Sequence, residues 1–191
     1  MSEVEVKQQI MLAATHLFAH KGYGATSVRE VVEAAGVTKP TLYYWFQNKE
    51  ALFLEIVHSH IDALNNLVRG TIAAEGTVRE RLLRFVRAYI DGVNQNRDAV
   101  RLLITLTLPT QGEHPQVDLM SMHLEKMQLL AGLISEGVGT GELRADLSPH
   151  AAVMALVGMV NLLSMGCVQG MPLPDDAADN VVDIFFRGVG A

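Results

Sequence analysis

The stretch from Thr26 to Lys49, TSVREVVEAAGVTKPTLYYWFQNK, leaves few folds open to this chain. Ser27 and Glu30 have the S-x-x-E spacing of a capping box, so a helix begins at Thr26 or Ser27. Val28, Val31 and Val32 recur at helical spacing and give it one apolar face. Gly36 stops it, because glycine accepts the left-handed conformation of a tight turn. Val37 fills the gap after it. Thr38 stands where it can cap a second helix, and Pro40 is tolerable only in that helix's first turn. Helix, glycine turn and helix at this spacing predict a helix-turn-helix, with a third helix starting at Asn48.

The second helix has an unusual outer face. With Leu42 and Phe46 inward, at i and i+4, Pro40, Thr41, Tyr43 and Tyr44 point outward and Lys39 lies on the flank. Hydroxyls of this kind reach phosphate oxygens and base edges, and rings and methyl groups contact the thymine methyl. Lys49 lies at the next helix start, where a cation and free N–H groups can hold a phosphate. A helical hairpin whose tyrosines pack on another helix fits the same pattern.

The run GYGATSVREVVEAAGVTKPTLYYWFQNKEALF resembles the signature of TetR-family transcriptional regulators. The matching pieces are Phe18 and Gly22, Thr26, the Ala34-Ala35-Gly36-Val37 turn, Leu42-Tyr43-Tyr44 with Phe46, and Lys49-Glu50-Ala51-Leu52. The likeness covers residues 7–58. Trp45 departs from it, standing where histidine is common in relatives. Motif and resemblance together give an expected DNA-contacting set of Thr26, Ser27, Arg29 and Thr38, with Lys39, Pro40, Thr41, Tyr43, Tyr44 and Lys49.

Composition is consistent with this reading. At 191 residues there is room for one small and one larger helical domain, read as residues 1–50 and 51–191. An apolar share of 49 % exceeds what a soluble monomer needs, which points to a subunit interface, an internal pocket, or both. The net charge of −6 argues against an indiscriminate nucleic-acid coat but not against a specific reader, whose contacting face alone must be basic or neutral. The N-terminus has no apolar signal region, and the single Cys167 excludes an intramolecular disulfide framework, so a reducing cytoplasm is expected.

The rest of the chain reads as helices. Residues 4–20 carry Ile10, Ala13, Ala14, Leu17 and Phe18 in one stripe that should back the helix-turn-helix. His16 and His20 have the i, i+4 spacing of a metal chelate, but nothing nearby in sequence completes one, so a surface pair and no metal are expected. A long helix from Asn48 to about Val68 joins the helix-turn-helix to the larger domain. Further helices are predicted from Thr77 to about Asn94, Arg97 to Leu108, Val117 to Val138, Ser148 to about Gln169 and Asp175 to Arg187. Loops are expected at Gly70–Gly76, at Pro109–Pro115 and at Gly137–Leu147. Gly158, Asn161, Ser164 and Gly166 interrupt the apolar stretch near the C-terminus, which reads as a core helix and not a membrane span. The fold class is all-α, with about nine helices.

One small helix-turn-helix makes too few contacts for useful specificity. Two-fold pairing would set two recognition helices about 34–36 Å apart on a palindromic operator. The resemblance implies a homodimer built from a four-helix bundle of the last two helices, with Leu156, Val160, Leu163, Val181 and Phe185 as its expected interface. It also implies a small effector among the middle helices. Candidate lining residues are Phe85, Tyr89, Leu103, Met120, His123, Met127, Met154 and Asn161, with His123 and Asn161 as the orienting polar groups. Each of these also fits an ordinary core. The expected function is a repressor released from double-stranded DNA by an apolar or amphipathic small molecule. The alternative is a regulator controlled by a protein partner or by abundance. An enzyme is not expected: there is no Cys/His pairing, glycine-rich phosphate loop, HExxH or close carboxylate pair, and no cofactor motif.

Overall fold

The computed structural model of the chain describes residues 3–107 and 114–189; of Thr107 and Met120 it describes the backbone alone. Nine helices run through the described residues, with no strand between them: α1 (Glu3–Lys21), α2 (Val28–Ala34), α3 (Lys39–Trp45), α4 (Lys49–Ile72), α5 (Val78–Gln95), α6 (Arg97–Thr107), α7 (Leu119–Thr140), α8 (Pro149–Val168) and α9 (Ala177–Val189). Most of the expected Pro109–Pro115 loop lies outside the described residues.

Local chemistry sets most of these boundaries. Ser27 caps α2 in a full capping box: its hydroxyl accepts from the Glu30 N–H while Glu30 accepts from the Ser27 N–H at 2.8 Å. Thr77 and Glu80 repeat the device at the start of α5. Thr38 caps α3, Ser148 caps α8, and Asn48 accepts from the Ala51 N–H at the head of α4. Gly36 turns the chain at φ +62°, open to glycine and strained for other residues.

Two expected loops are shorter than the sequence suggested. α4 runs through Gly70 to Ile72, and α7 runs through Gly137 and Gly139 to Thr140. A helical glycine costs about 1 kcal/mol against alanine, which packing readily overrides. At Gly137 packing is also the reason for glycine: a Cβ there would lie 2.9 Å from Leu143 Cδ1.

The chain packs as two compact units. The first comprises residues 1–60 and 98–119, the second residues 61–97 and 120–191. The division thus falls ten residues beyond Glu50, within α4, and α6 belongs to the first unit. In the first unit α1 packs on α2 and α3. Ile10, Ala14 and Phe18 of α1 meet Val31 of α2, Leu42 of α3 and Leu52 and Phe53 of α4 in a closed core. Each large side chain removed from water in this way contributes roughly 1.5–3 kcal/mol.

In the second unit α5 packs on α8 and α9, which pack on each other. The core holds Leu82, Phe85 and Val86 of α5, Leu130 and Ile134 of α7, Leu156 and Val160 of α8, and Val182 and Phe185 of α9. α8 is long and apolar enough to cross a membrane by length and composition, yet one of its faces lies in this core. Arg87 holds both carboxylate oxygens of Asp179 at 2.7 and 2.9 Å across the α5–α9 seam.

Glu30 ties the capping box to α1 through Lys21, and that pairing, with the Ser27 bonds, pushes its carboxyl down to about 2. A depressed carboxyl stabilises the fold above its unfolded value, and that stabilisation disappears as pH falls through the folded one. The difference in melting temperature between the wild-type protein and Glu30→Gln is therefore expected to be full at pH 6, to shrink below about pH 4.5 and to vanish near pH 2. A pH-independent difference in thermal melts would show that Glu30 acts without its charge.

Candidate functional site

The outward face of α3 is as the spacing predicts. Leu42 and Phe46 are buried, and Thr38, Lys39, Pro40, Tyr43 and Tyr44 are exposed. Thr41 is half-buried, and its hydroxyl is 2.8 Å from that of Thr38, so both face the same side of the helix start. Tyr44 is half of an edge-to-face pair with Trp45 at 5.0 Å, which stiffens the C-terminal end of the helix. Ser27 and Arg29 are exposed at the start of α2, with Arg29 paired to Glu33 one turn on. This is one continuous polar and aromatic surface, free of carboxylates along α3 itself.

Two residues of the expected set do something else. Thr26 is 1 % exposed, and its hydroxyl donates to the Gly22 carbonyl at 2.7 Å. It cannot reach a base or phosphate from there; it braces the turn between α1 and α2. Lys49 is half-buried and donates to the carbonyls of Tyr23 and Thr26, both at 2.9 Å. Its ammonium also sits over the Tyr23 ring, 4.0 Å from the centroid. The carbonyls and the ring together satisfy the charge, so Lys49 acts as a clamp and not as a free phosphate contact. Tyr23 joins Phe18 and Phe53 in a three-ring cluster with centroids 4.9–5.5 Å apart. Burial raises the Tyr23 hydroxyl's pKa, and Glu50 adds to the effect. A glycine-flanked tyrosine gave no sequence signal of this role.

The residues expected around an effector separate. Phe85, Tyr89 and Met127 come together in the core of the second unit. Burial raises the Tyr89 hydroxyl, opposed by a hydrogen bond with Ser164. Leu103 belongs to α6 in the first unit. The Met120 side chain lies outside the described residues. Met154 and Asn161 are exposed on the outer face of α8. A cavity of about 500 Å³ lies in the first unit, lined among others by Phe18, Tyr23 and Phe53 and by Leu102 of α6 and His114; of the expected lining residues none is among these.

The second unit instead contains unsatisfied polar groups. Lys126 of α7 is 5 % exposed, and burial alone pushes its ammonium down to about 8. One turn earlier, burial and then Lys126 push the His123 imidazole down to about 4, so it is neutral at pH 7. His123 Nδ1 and Asn65 Oδ1 are both buried without a hydrogen-bond partner. Asn65 and Arg69 of α4 reach Glu125 of the same α7 turn. A buried cation, and polar atoms buried without a partner, are each costly unless something pairs them. Lys126 was legible in principle: it shares a stripe with Leu130 and Leu133, where a charge is out of place.

The expected dimer contacts are core residues of their own chain. Leu156, Val160, Val181 and Phe185 are buried and Leu163 is half-buried against that core. They lie on the inward side of the two helices expected to pair. Met154, Leu162 and Met165 of α8 and Ile184 of α9 are 71, 70, 41 and 61 % exposed, and they form the apolar face that this chain leaves uncovered.

Comparisons with known proteins bear on the family and the fold. A family model described as bacterial regulatory proteins, tetR family, matches residues 10–56, and one described as tetracyclin repressor-like, C-terminal domain, matches residues 75–189. The HTH-type transcriptional activator FasR of Mycolicibacterium smegmatis is 33 % identical over 113 residues, 59 % of this chain and 50 % of that protein, so the match spans half of that relative's length. The HTH-type transcriptional repressor KstR2 of Rhodococcus jostii is 26 % identical over 146 residues, 76 % of this chain and 72 % of that one. The solved structure of the transcriptional regulator FadR from Bacillus subtilis in complex with stearoyl-CoA shares the fold, with a TM-score of 0.72 and 20 % identity over 95 % of this chain and 98 % of that one.

Tyr43→Ala is expected to weaken binding to a specific DNA site by about 1–3 kcal/mol with little change in melting temperature, since the side chain is half exposed on the surface of α3. Lys49→Ala is expected to lower the melting temperature and to weaken all DNA sequences alike, with no change in the salt dependence. A flatter salt dependence in titrations of Lys49→Ala, by about 0.9 in slope, would return Lys49 to the phosphate-contacting set.

Proposed function

Since this chain belongs to the tetR family of bacterial regulatory proteins and is a DNA-binding transcriptional regulator, we propose that it is a homodimeric repressor released from a palindromic operator by an amphipathic effector with an acidic head. The exposed face of α3 reads the major groove, with Lys39, Thr41, Tyr43 and Tyr44 toward the bases and Ser27, Arg29 and Thr38 toward the backbone. Such a protein works in the cytoplasm, where its DNA is.

The observation that carries the effector is Lys126. A long apolar chain would lie along Phe85, Tyr89 and Met127, and its carboxylate or phosphate would accept from the Lys126 ammonium and from an Nδ1-protonated His123, while the same ammonium donates to the unpartnered Asn65 Oδ1. Stearoyl-CoA, seen with the Bacillus subtilis relative, has this chemistry: an acyl chain joined to an anionic head. Binding at Asn65 acts on α4, the helix whose first turns hold Leu52 and Phe53 in the core of the DNA-reading unit. A small displacement of that helix in each subunit changes the spacing of two recognition helices, and operator half-sites do not adjust to it.

An effector can shift this equilibrium only by its differential affinity for the two states, typically ~1–3 kcal/mol or about 5–150-fold, and operator must weaken effector binding by the same factor. Calorimetry with a long-chain acyl-CoA, with and without operator, tests this; equal affinities in the two titrations rule out release by that ligand. The head-group role has its own signature. An anion beside Lys126 raises the ammonium pKa, so binding takes up a proton and affinity is expected to fall as pH rises through about 8. Lys126→Met is expected to flatten that profile and to raise stability at pH 7 by on the order of 1–3 kcal/mol, because it removes a charge that burial penalises.

The second copy covers the outer face of α8 and α9. Met154→Glu and Leu162→Glu are expected to give folded monomers in sedimentation, whereas Leu156→Glu unfolds the chain by placing a charge in its own core. Wild-type protein sedimenting as a monomer at micromolar concentration would overturn the dimer.

A further inference from the structure

We propose that His16, His20 and Asp98 form a site for a divalent first-row transition ion, Zn²⁺ foremost, that fastens α6 to α1. The sequence offered the two imidazoles on one face of α1 and no third ligand near them. The fold supplies it from 78 residues beyond His20: Asp98, in the first turn of α6, turns one carboxylate oxygen to each ring. His16 Nδ1 is 2.8 Å from Oδ2, and His20 Nε2 is 2.6 Å from Oδ1. The two rings are 4.6 Å apart between centroids. One oxygen or nitrogen from each residue lies within 4.8 Å of the others.

This geometry is close to what a tetrahedral ion needs. Bonds of about 2.0–2.2 Å set ligand atoms roughly 3.2–3.6 Å apart. Two half-exposed imidazoles can make that adjustment by rotation about their own side chains, without moving a helix. The donor set selects the ion. Two imidazole nitrogens with one carboxylate suit Zn²⁺, Ni²⁺, Co²⁺ or Cu²⁺, whereas Mg²⁺ and Ca²⁺ prefer oxygen throughout. Exposure leaves the fourth position to water and the site open to the ion from solution.

Without an ion, both rings donate a proton to the same carboxylate. Ligation reverses this: His16 Nδ1 and His20 Nε2 give lone pairs to the metal, and each ring keeps its proton on the other nitrogen. The carboxylate exchanges two N–H donors for one cation. The site also has a defined consequence. Asp98 is the residue at which the chain returns to the first unit after α5, and α1 is the helix that backs α2 and α3. An ion here cross-links residues 78 positions apart and stiffens the unit that carries the recognition helix.

The test uses the full chain without an affinity tag. Calorimetry with ZnCl₂ is expected to show one ion per chain, with a rise in melting temperature that saturates at the same ratio. CoCl₂ is expected to give the visible absorption bands of tetrahedral coordination. His16→Gln and Asp98→Asn, one on each helix and both at solvent-accessible positions, are expected to keep the wild-type helical circular dichroism and to bind Zn²⁺ at least tenfold more weakly. MgCl₂ is expected to change nothing. Absence of saturable binding in the wild type overturns the site. Undiminished binding in both variants places the ion elsewhere and overturns it too. A loss confined to His16→Gln shows a two-histidine chelate on α1 alone and overturns the link to α6. Equal binding of Mg²⁺ overturns the assignment to a transition ion.

Discussion

The ammonium of Lys49, held between the Tyr23 and Thr26 carbonyls and against the Tyr23 ring, is the contact on which the DNA-reading surface depends. α3 has only seven residues, and a helix that short does not persist alone in water. It keeps its shape because Leu42 and Phe46 are packed into a core built by α1 and α4. That core closes only if the turn between α1 and α2 is fixed, and this turn leaves backbone carbonyls with no helical partner. Lys49 takes two of them, and the Thr26 hydroxyl takes a third, that of Gly22. Some of the side chains that look in sequence as if they should touch DNA thus hold in place the exposed face of α3.

That division of roles explains what could be read from the chain and what could not. The helices of the described residues, the helix-turn-helix and its caps follow from local rules, so Ser27, Thr38, Gly36, Thr77 and Ser148 were each legible in place. Exposure of Tyr43 and Tyr44 followed from the i, i+4 spacing of Leu42 and Phe46. Thr26 and Lys49 were misread because a hydroxyl or an ammonium carries no mark of whether its partner is a distant carbonyl or a phosphate. Nor did α8 show which way it faces. It is apolar nearly all round, so periodicity could not separate Leu156 and Val160, which face its own core, from Met154 and Leu162, which face outward. The third ligand beside His16 and His20 was hidden for a simpler reason: Asp98 lies in another helix, and only the packing of α6 brings it there.

The second unit shows the opposite case. Its apolar core is built around α5, α8 and α9, and a buried lysine, a neutral imidazole and an unpartnered amide oxygen on α7 and α4 are poor choices for stability. Leucine or methionine at residue 126 would satisfy the stripe that Leu130 and Leu133 define. Packing alone does not account for these polar groups on α4 and α7. The same logic separates the apolar groups: Phe85 and Tyr89 are explained by packing, whereas Lys126 is not.

Both features bear on α4. Its first turns carry Lys49, Leu52 and Phe53, which hold the recognition unit together, and its later turns carry Asn65 and Arg69, which face Glu125 on the turn that bears His123 and Lys126. The helix is continuous through Gly70, so its hydrogen-bonded backbone is unbroken between the two sets of contacts. α4 is thus one continuous helix on which the contacts near Lys126 and the clamp at Lys49 both lie. The effector we propose would have to alter the partners of Asn65 or Glu125, not merely fill apolar space. An apolar ligand lying against Phe85 and Met127 alone would gain affinity from burial in either state. It would leave the equilibrium between the two states where it was, because equal gains shift nothing. The orphaned polar atoms are what can make the gain unequal.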